Sequence, residues 1–175
     1  MSVVNADDAT SGLIPLGFTF HFFGTTYTSV NIGSNGFLGF DAMLGQGCCS
    51  GGMLPNLDNV NNMVAAAWTD LYPPGSPLMP NAVTAEMRGT APNRIYVVSW
   101  TNVPWCCMGV APQVTTQIVL HETTDQIDIF TTFQNGGHTY SQGAEDPTGS
   151  IAYFIPGRSA ADYSLLNDGV VIFTN

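Results

Sequence analysis

Two short stretches carry the most reactive side chains of this chain: "GCCSGGMLP" sets Cys48 beside Cys49, and "PWCCMG" sets Cys106 beside Cys107. Four thiols can act as staples, as soft metal ligands or as a redox device. As disulfides they allow three connectivities. Bridges between the pairs, such as Cys48 to Cys107 with Cys49 to Cys106, would close roughly fifty residues and contribute about 3 to 4 kcal/mol through the unfolded chain. A bridge within each pair is the competitor. Adjacent Cα atoms lie about 3.8 Å apart, below the usual disulfide span, so such a ring needs a distorted turn. Gly47, Gly51, Gly52 and Gly109 leave room for one. Zinc is the metallic alternative, but directly adjacent cysteines lack the spacer of roughly two to four residues found in closed zinc sites. Met53 and Met108 stand near the pairs and would suit copper(I).

Hard oxygen donors gather elsewhere: Asp7 and Asp8 in "NADDATSG", Asp58 in "LDNVNN", Glu145 and Asp146 in "AEDPTG". Calcium takes about six to eight such oxygens in loops, so these five acids are the calcium candidates. None follows the spacing of a known calcium loop, and Asp and Asn also form ordinary turns. The histidines are His21, His121 and His138. Only His121 has a carboxylate next to it, Glu122, and in a strand those two side chains point to opposite faces. No Gly-x-Ser-x-Gly elbow, His-Glu-x-x-His helix or phosphate-cradling glycine loop occurs. The chain therefore reads as a non-enzyme, with calcium the one cofactor in prospect.

The elements that must hold these groups follow from composition and pattern. A chain of 175 residues, 45% hydrophobic, suits one well-buried core. There is no lysine, and Arg88, Arg94 and Arg158 face thirteen acids, for a formal net charge of -10. That balance argues against nucleic acid and against an anionic membrane surface. The polar surface must be Thr, Ser, Asn and Gly, a composition common in extracellular β proteins. No run approaches the ~18 apolar residues of a membrane span, and "MSVVNADDATSG" has no signal-peptide pattern.

Apolar residues alternate with period two. In "IPLGFTFHFFG", Ile14, Leu16, Phe18, Phe20 and Phe22 share one face, which predicts a half-buried strand. Asn35-Gly36 predicts a tight hairpin turn with two left-handed residues. "AVTAEM", "RIYVVSW", "TTQIVL", "QIDIFTTF", "SIAYFI" and "GVVIFTN" read as further strands, separated by turns such as "GTAPN", "ETTDQ", "QNGG" and "LNDG". "NNMVAAAW" reads as a buried strand or a single turn, and the proline-dense residues 72–80 as an irregular surface loop. The expected fold is all-β: a two-layer antiparallel β-sandwich, jelly-roll-like, with long loops and almost no helix. Residues 1–11 form an extended N-terminal segment and residues 12–175 a single domain.

"IPLGFTFHFFGTTYTSVNIGSNGFLGF" resembles the nidogen-like (NIDO-like) module of bacterial surface and secreted proteins. The resemblance continues through "GCCSGGMLP", "VAAAWTDLYP", "GTAPNRIYVVSWTNVP", "QIVLHETTDQIDI" and "SQGAEDPTGSIAYFIPG", covering nearly all of residues 12–174. It implies an extracellular or cell-surface, non-catalytic module of adhesion or matrix assembly. The partner would be a surface glycan, a protein ligand or copies of the chain itself, as in a filament. A secreted hydrolase centred on His121 is the third reading. By alternation Trp68 and Trp100 belong to the core, while Trp105 in its Pro- and Cys-bounded loop is either partly exposed or buried against the cysteines. With Ser50, Met53 and Met108 it would form a ligand platform on the stapled loops.

Overall fold

The alternation in "IPLGFTFHFFG" is realised in the longest strand of a computed structural model that describes residues 1–175. Strand β1 (Thr10–Phe22) buries Leu16, Phe18, Phe20 and Phe22 and turns Pro15, Gly17, Thr19 and His21 outward. It pairs with β2 (Thr25–Gly33), which leads to β3 (Phe37–Gly39) and, after the loop of residues 40–62, to β4 (Met63–Trp68). On the other side of β4 lies β9 (Thr139–Glu145), flanked by β10 (Ala152–Phe154) and the short β11 (Ala161–Asp162). The second sheet is a meander of β5 (Val83–Arg88), β6 (Ile95–Val103), β7 (Val114–His121) and β8 (Ile127–Gln134), extended beyond β8 by β12 (Leu165–Ile172). All pairings are antiparallel. The result is a two-layer β-sandwich of seven and five strands. Its jelly-roll likeness is limited to the two layers, because β1–β4 and β5–β8 each stay consecutive within one sheet.

The layers meet over a cluster of 30 buried apolar residues. Val30, Ile32, Leu38 and Val64 of the first sheet belong to it with Val83, Val98, Trp100, Ile118 and Ile129 of the second. Each such side chain contributes about 1.5–3 kcal/mol by leaving water. β4 is buried along its whole length because it has two apolar faces. Val64 and Ala66 face the main core, whereas Met63, Ala65 and Trp68 join Phe37, Leu44, Leu54 and Val60 in a second cluster. Loop 40–62 supplies Leu44, Leu54 and Val60, so it roofs the outer face of the first sheet and fixes the first cysteine pair there.

Four expectations change in detail. The β2–β3 turn has a left-handed residue only at Gly36, where a Cβ would strike the Ala67 carbonyl, and Asn35 is used otherwise. "LNDG" lies inside β12 rather than forming a turn, because Asn167 accepts a φ of 50° within the strand. The proline-dense loop contains one 3-10 turn, Pro73–Gly75. Residues 1–11 are not a single extended segment: a turn at Asp7–Asp8 interrupts them, Thr10 and Ser11 open β1, and the first residues pack on β5, where the Met1 amino group donates to the Ala85 carbonyl at 2.8 Å, the Val3 N–H donates to Val83 at 3.1 Å, and Val4 enters the core.

Candidate functional site

Asn35 organises one end of the sandwich. Its side chain is fully buried; Nδ2 donates to Asp8 Oδ1 at 2.8 Å and to the Gln46 carbonyl at 3.2 Å, while Oδ1 accepts the Leu71 N–H at 2.9 Å. One amide thus ties the N-terminal segment, the approach to Cys48 and the exit of β4. The second cysteine loop hangs from the same exit. Cys106 N–H donates to the Asp70 carbonyl at 3.0 Å, and Tyr72 N–H to that of Pro104 at 2.8 Å. Both cysteine loops are therefore held by Asp70–Tyr72, one directly and one through Asn35.

Cys48 and Cys49 are bridged to each other, and Cys106 and Cys107 are free thiols with sulfurs 2.9 Å apart. Of the connectivities left open, the structure has the bridge within a pair, and for Cys48 and Cys49 only; Cys106 and Cys107 depart from the expected second disulfide. Each pair finds its nearest sulfur inside its own turn. Gly47, at φ +70°, permits the first turn, since a Cβ there would lie 2.5 Å from the Phe37 ring; its carbonyl accepts the Trp68 indole N–H at 2.9 Å. The pairs also face different acids. Asp8 gathers with Cys48 and Cys49, while Asp7 and Asp70 gather with Cys106, the donor atoms of each group lying within 4.8 Å of one another. The Cys106 thiol is pushed up to about 12 by its hydrogen bond with Cys107, by burial and by Asp70 and Asp7, so it stays protonated at neutral pH. Burial and the charges of Asp8 and Asp7 also raise the Asp70 carboxyl, whose Oδ1 is sealed from water with no donor.

The five calcium candidates divide. Asp7 and Asp8 belong to the cysteine end, whereas Asp58, Glu145 and Asp146 lie at the junction of loop 40–62 with β9. Turn hydrogen bonds take up much of this second group. Asp58 accepts Val60 N–H at 2.7 Å and the Asn56 amide at 2.9 Å. Asp146 accepts N–H groups of Thr148, Ser150 and Ile151 and the Thr148 hydroxyl. Burial opposes ionisation of Asp146, but these bonds outweigh it and hold its pKa below the usual range. Glu145 Oε1 accepts Asn56 N–H at 2.5 Å, and burial, then Asp58 and Asp146, raise its pKa to about 7.

Of the expected platform, Met53 and Met108 stand 61% and 66% exposed and Ser50 is exposed. Trp105 takes the buried one of its two placements, against Tyr140 and His138 rather than the cysteines: it donates its indole N–H to the Tyr140 hydroxyl at 2.5 Å and is stacked by His138 at a centroid distance of 4.1 Å. Trp68 and Trp100 are buried as alternation requires. His121 Nε2 lies 2.7 Å from Asp128 Oδ2, and His21 Nδ1 lies 3.0 Å from Asp125 Oδ2. Sequence reasoning missed both pairs. The first spans the β7–β8 hairpin, where antiparallel register was the available signal; the second joins residues 104 positions apart, which local pattern does not connect. Asn35 and Asp70 were also missed as site residues: Asn35 was read only as a turn former, and Asp70 carries no local signal of its role.

A lysine-free, two-sheet antiparallel module with an acidic, cysteine-bearing end is the class that this architecture defines. Within that class the chain belongs to the NIDO related family, whose model matches residues 1–168. Comparison with curated proteins and with solved structures returns no match.

Proposed function

We propose that this domain is a non-catalytic binding module of an extracellular or cell-surface protein, taking a glycan or protein ligand. One observation carries the reading. The loops that bear the two cysteine pairs also expose Met43, Met53, Leu57, Met108 and Val110, each between 61% and 92% accessible. These loops are not slack: Trp68, Asn35 and the second apolar cluster hold the first, and Asp70 and Tyr72 hold the second. Large apolar side chains kept exposed on an ordered frame are what a partner covers. Family membership supports an extracellular setting, as does an acidic surface without lysine.

Glycan and protein arrays probed with the purified domain test this. Binding that falls about tenfold in a Met53→Ser, Met108→Ser double variant is expected. Turnover of an ester, peptide or glycoside that disappears in His121→Ala would overturn the reading in favour of a hydrolase.

A further inference from the structure

A sandwich of open sheets has four edges, and an edge strand offers unpaired N–H and C=O groups to any passing strand. Two edges here are blocked. β5 is covered by the N-terminal residues, through Met1, Ser2 and Val3. β1 carries Pro15, its Gly17 carbonyl accepts Arg94 Nη1 at 2.6 Å, and its His21 N–H donates to Asp125 at 2.8 Å. The other two edges, β10 and β12, have no such cover. Their backbone groups bond only within their own sheets, β10 to β9 and β12 to β8.

These two uncovered edges face each other across a cleft of about 180 Å³, floored by Gln142 and Gly143 and walled by Tyr153–Ile155 and Val170–Phe173. Aromatic and branched side chains stand open along it. Tyr153 is 49% exposed, Phe154 38%, Val171 57% and Phe173 55%. The chain has no lysine with which to guard an edge. An apolar cleft between two unsatisfied edges matches an incoming strand, which would add to β12 by main-chain bonds and lay alternate side chains into the cleft.

Charge decides whose strand. All three arginines are paired to carboxylates: Arg88 to Glu86, Arg94 to Glu122, and Arg158, beside the cleft, to Asp168. The surface therefore presents unpaired negative charge and no unpaired arginine or lysine. A second copy would bring another -10, which like-charge repulsion opposes. We infer that the β10–β12 cleft receives an extended segment of a different protein, apolar at alternate positions and flanked by lysine or arginine. This goes beyond the binding reading above, and the site shares no residue with the cysteine end.

The probe is a synthetic peptide in which threonine alternates with valine, isoleucine and phenylalanine between two lysine pairs. Hydrogen exchange on the intact domain is expected to slow at least about tenfold at β12 amides when the peptide is added, leaving β1 and β5 unchanged. Affinity from fluorescence anisotropy should fall about tenfold in Val171→Thr, Phe173→Ser, whose side chains are exposed and so leave the core intact, and about as much when glutamate replaces the peptide lysines. Protection at another edge, or affinity unmoved by the double variant, overturns the proposal. So does β12 protection that grows with protein concentration without peptide, which would make a second copy the occupant. A domain that binds on the arrays through Met53 and Met108 yet ignores the peptide loses the cleft and keeps the binding reading; peptide binding with blank arrays does the reverse.

Discussion

Replacing Glu145 by Gln should stabilise the protein, and by an amount that depends on pH. Glu145 is 1% exposed on β9, opposite Met63 of β4 and Ala152 of β10. Its carboxylate receives one backbone donor, Asn56 N–H, and lies near Asp58 and Asp146 with no cation to offset them. Burial is the larger cause and the two aspartates the smaller, together raising the pKa from 4.5 to about 7 against the opposing Asn56 bond. Below pH 4.5 both folded and unfolded chains hold the proton, so the group is neutral to stability. Between 4.5 and about 7 the unfolded chain releases it while the folded chain retains it, and stability falls as pH rises through that window. Above about 7 the deficit is constant. At ~1.4 kcal/mol per pH unit, that interval sets a ceiling of about 3.5 kcal/mol. Glu145→Gln removes the charge and keeps the acceptor for Asn56. Urea denaturation of both proteins should show a difference near zero at about pH 4.5 that grows to about 2–3 kcal/mol in favour of the variant at about pH 8. Taking the difference cancels the other carboxylates. A difference that does not change over this range would refute the reasoning, and a constant one against the variant would mean that Glu145 has an unseen cationic partner.

The remaining predictions concern the frame. Asn35→Ala leaves the buried Leu71 N–H without its acceptor and unties Asp8 and Gln46, so it should cost about 2–3 kcal/mol in urea denaturation and speed proteolysis of loop 40–62; a loss under about 0.5 kcal/mol would remove Asn35 from its organising role. Arg94 holds Glu122 by two guanidinium bonds and lowers its pKa to about 2, so this pair stabilises the fold above pH 4.5 and is lost as pH falls towards 2. Arg94→Ala should therefore lower stability at neutral pH and flatten its decline on the acid side, and an unchanged acid profile would count against the pair. Alkylation of the unfolded, unreduced chain should label Cys106 and Cys107 only, with Cys48 and Cys49 labelled after reduction; a cross-linked peptide joining the two pairs would overturn the assignment.

Parity along a single strand needs no knowledge of the rest of the molecule, which is why β1, with Phe18, Phe20 and Phe22 inward, could be read from the chain directly. The same holds for Trp100 in β6 and for the all-β class, since turn chemistry between short β-branched runs is a local property. Family motifs were legible for a similar reason: they are contiguous. The partners of each reactive group were not. Four cysteines announce sulfur chemistry, but which sulfurs meet depends on how loop 40–62 is roofed onto β4 and how residues 104–107 hang from Asp70. Trp105 sits in a loop whose composition leaves exposure and burial both open, and Tyr140 and His138, more than thirty residues later, bury it. Aspartates such as Asp58 and Asp146 carry oxygens of the kind calcium takes, but the backbone N–H groups that bond them are set by how each turn closes around its own acid, which composition does not show. Which edges stay open was the least local matter of all. β12 is an edge because β8 takes its other side, and β5 is covered because the first residues of the chain return to it across some eighty positions. Side-chain alternation is set by bonds between neighbours; the pairing of edges, acids and sulfurs is set by chain closure over long loops, which only the packed sandwich makes definite.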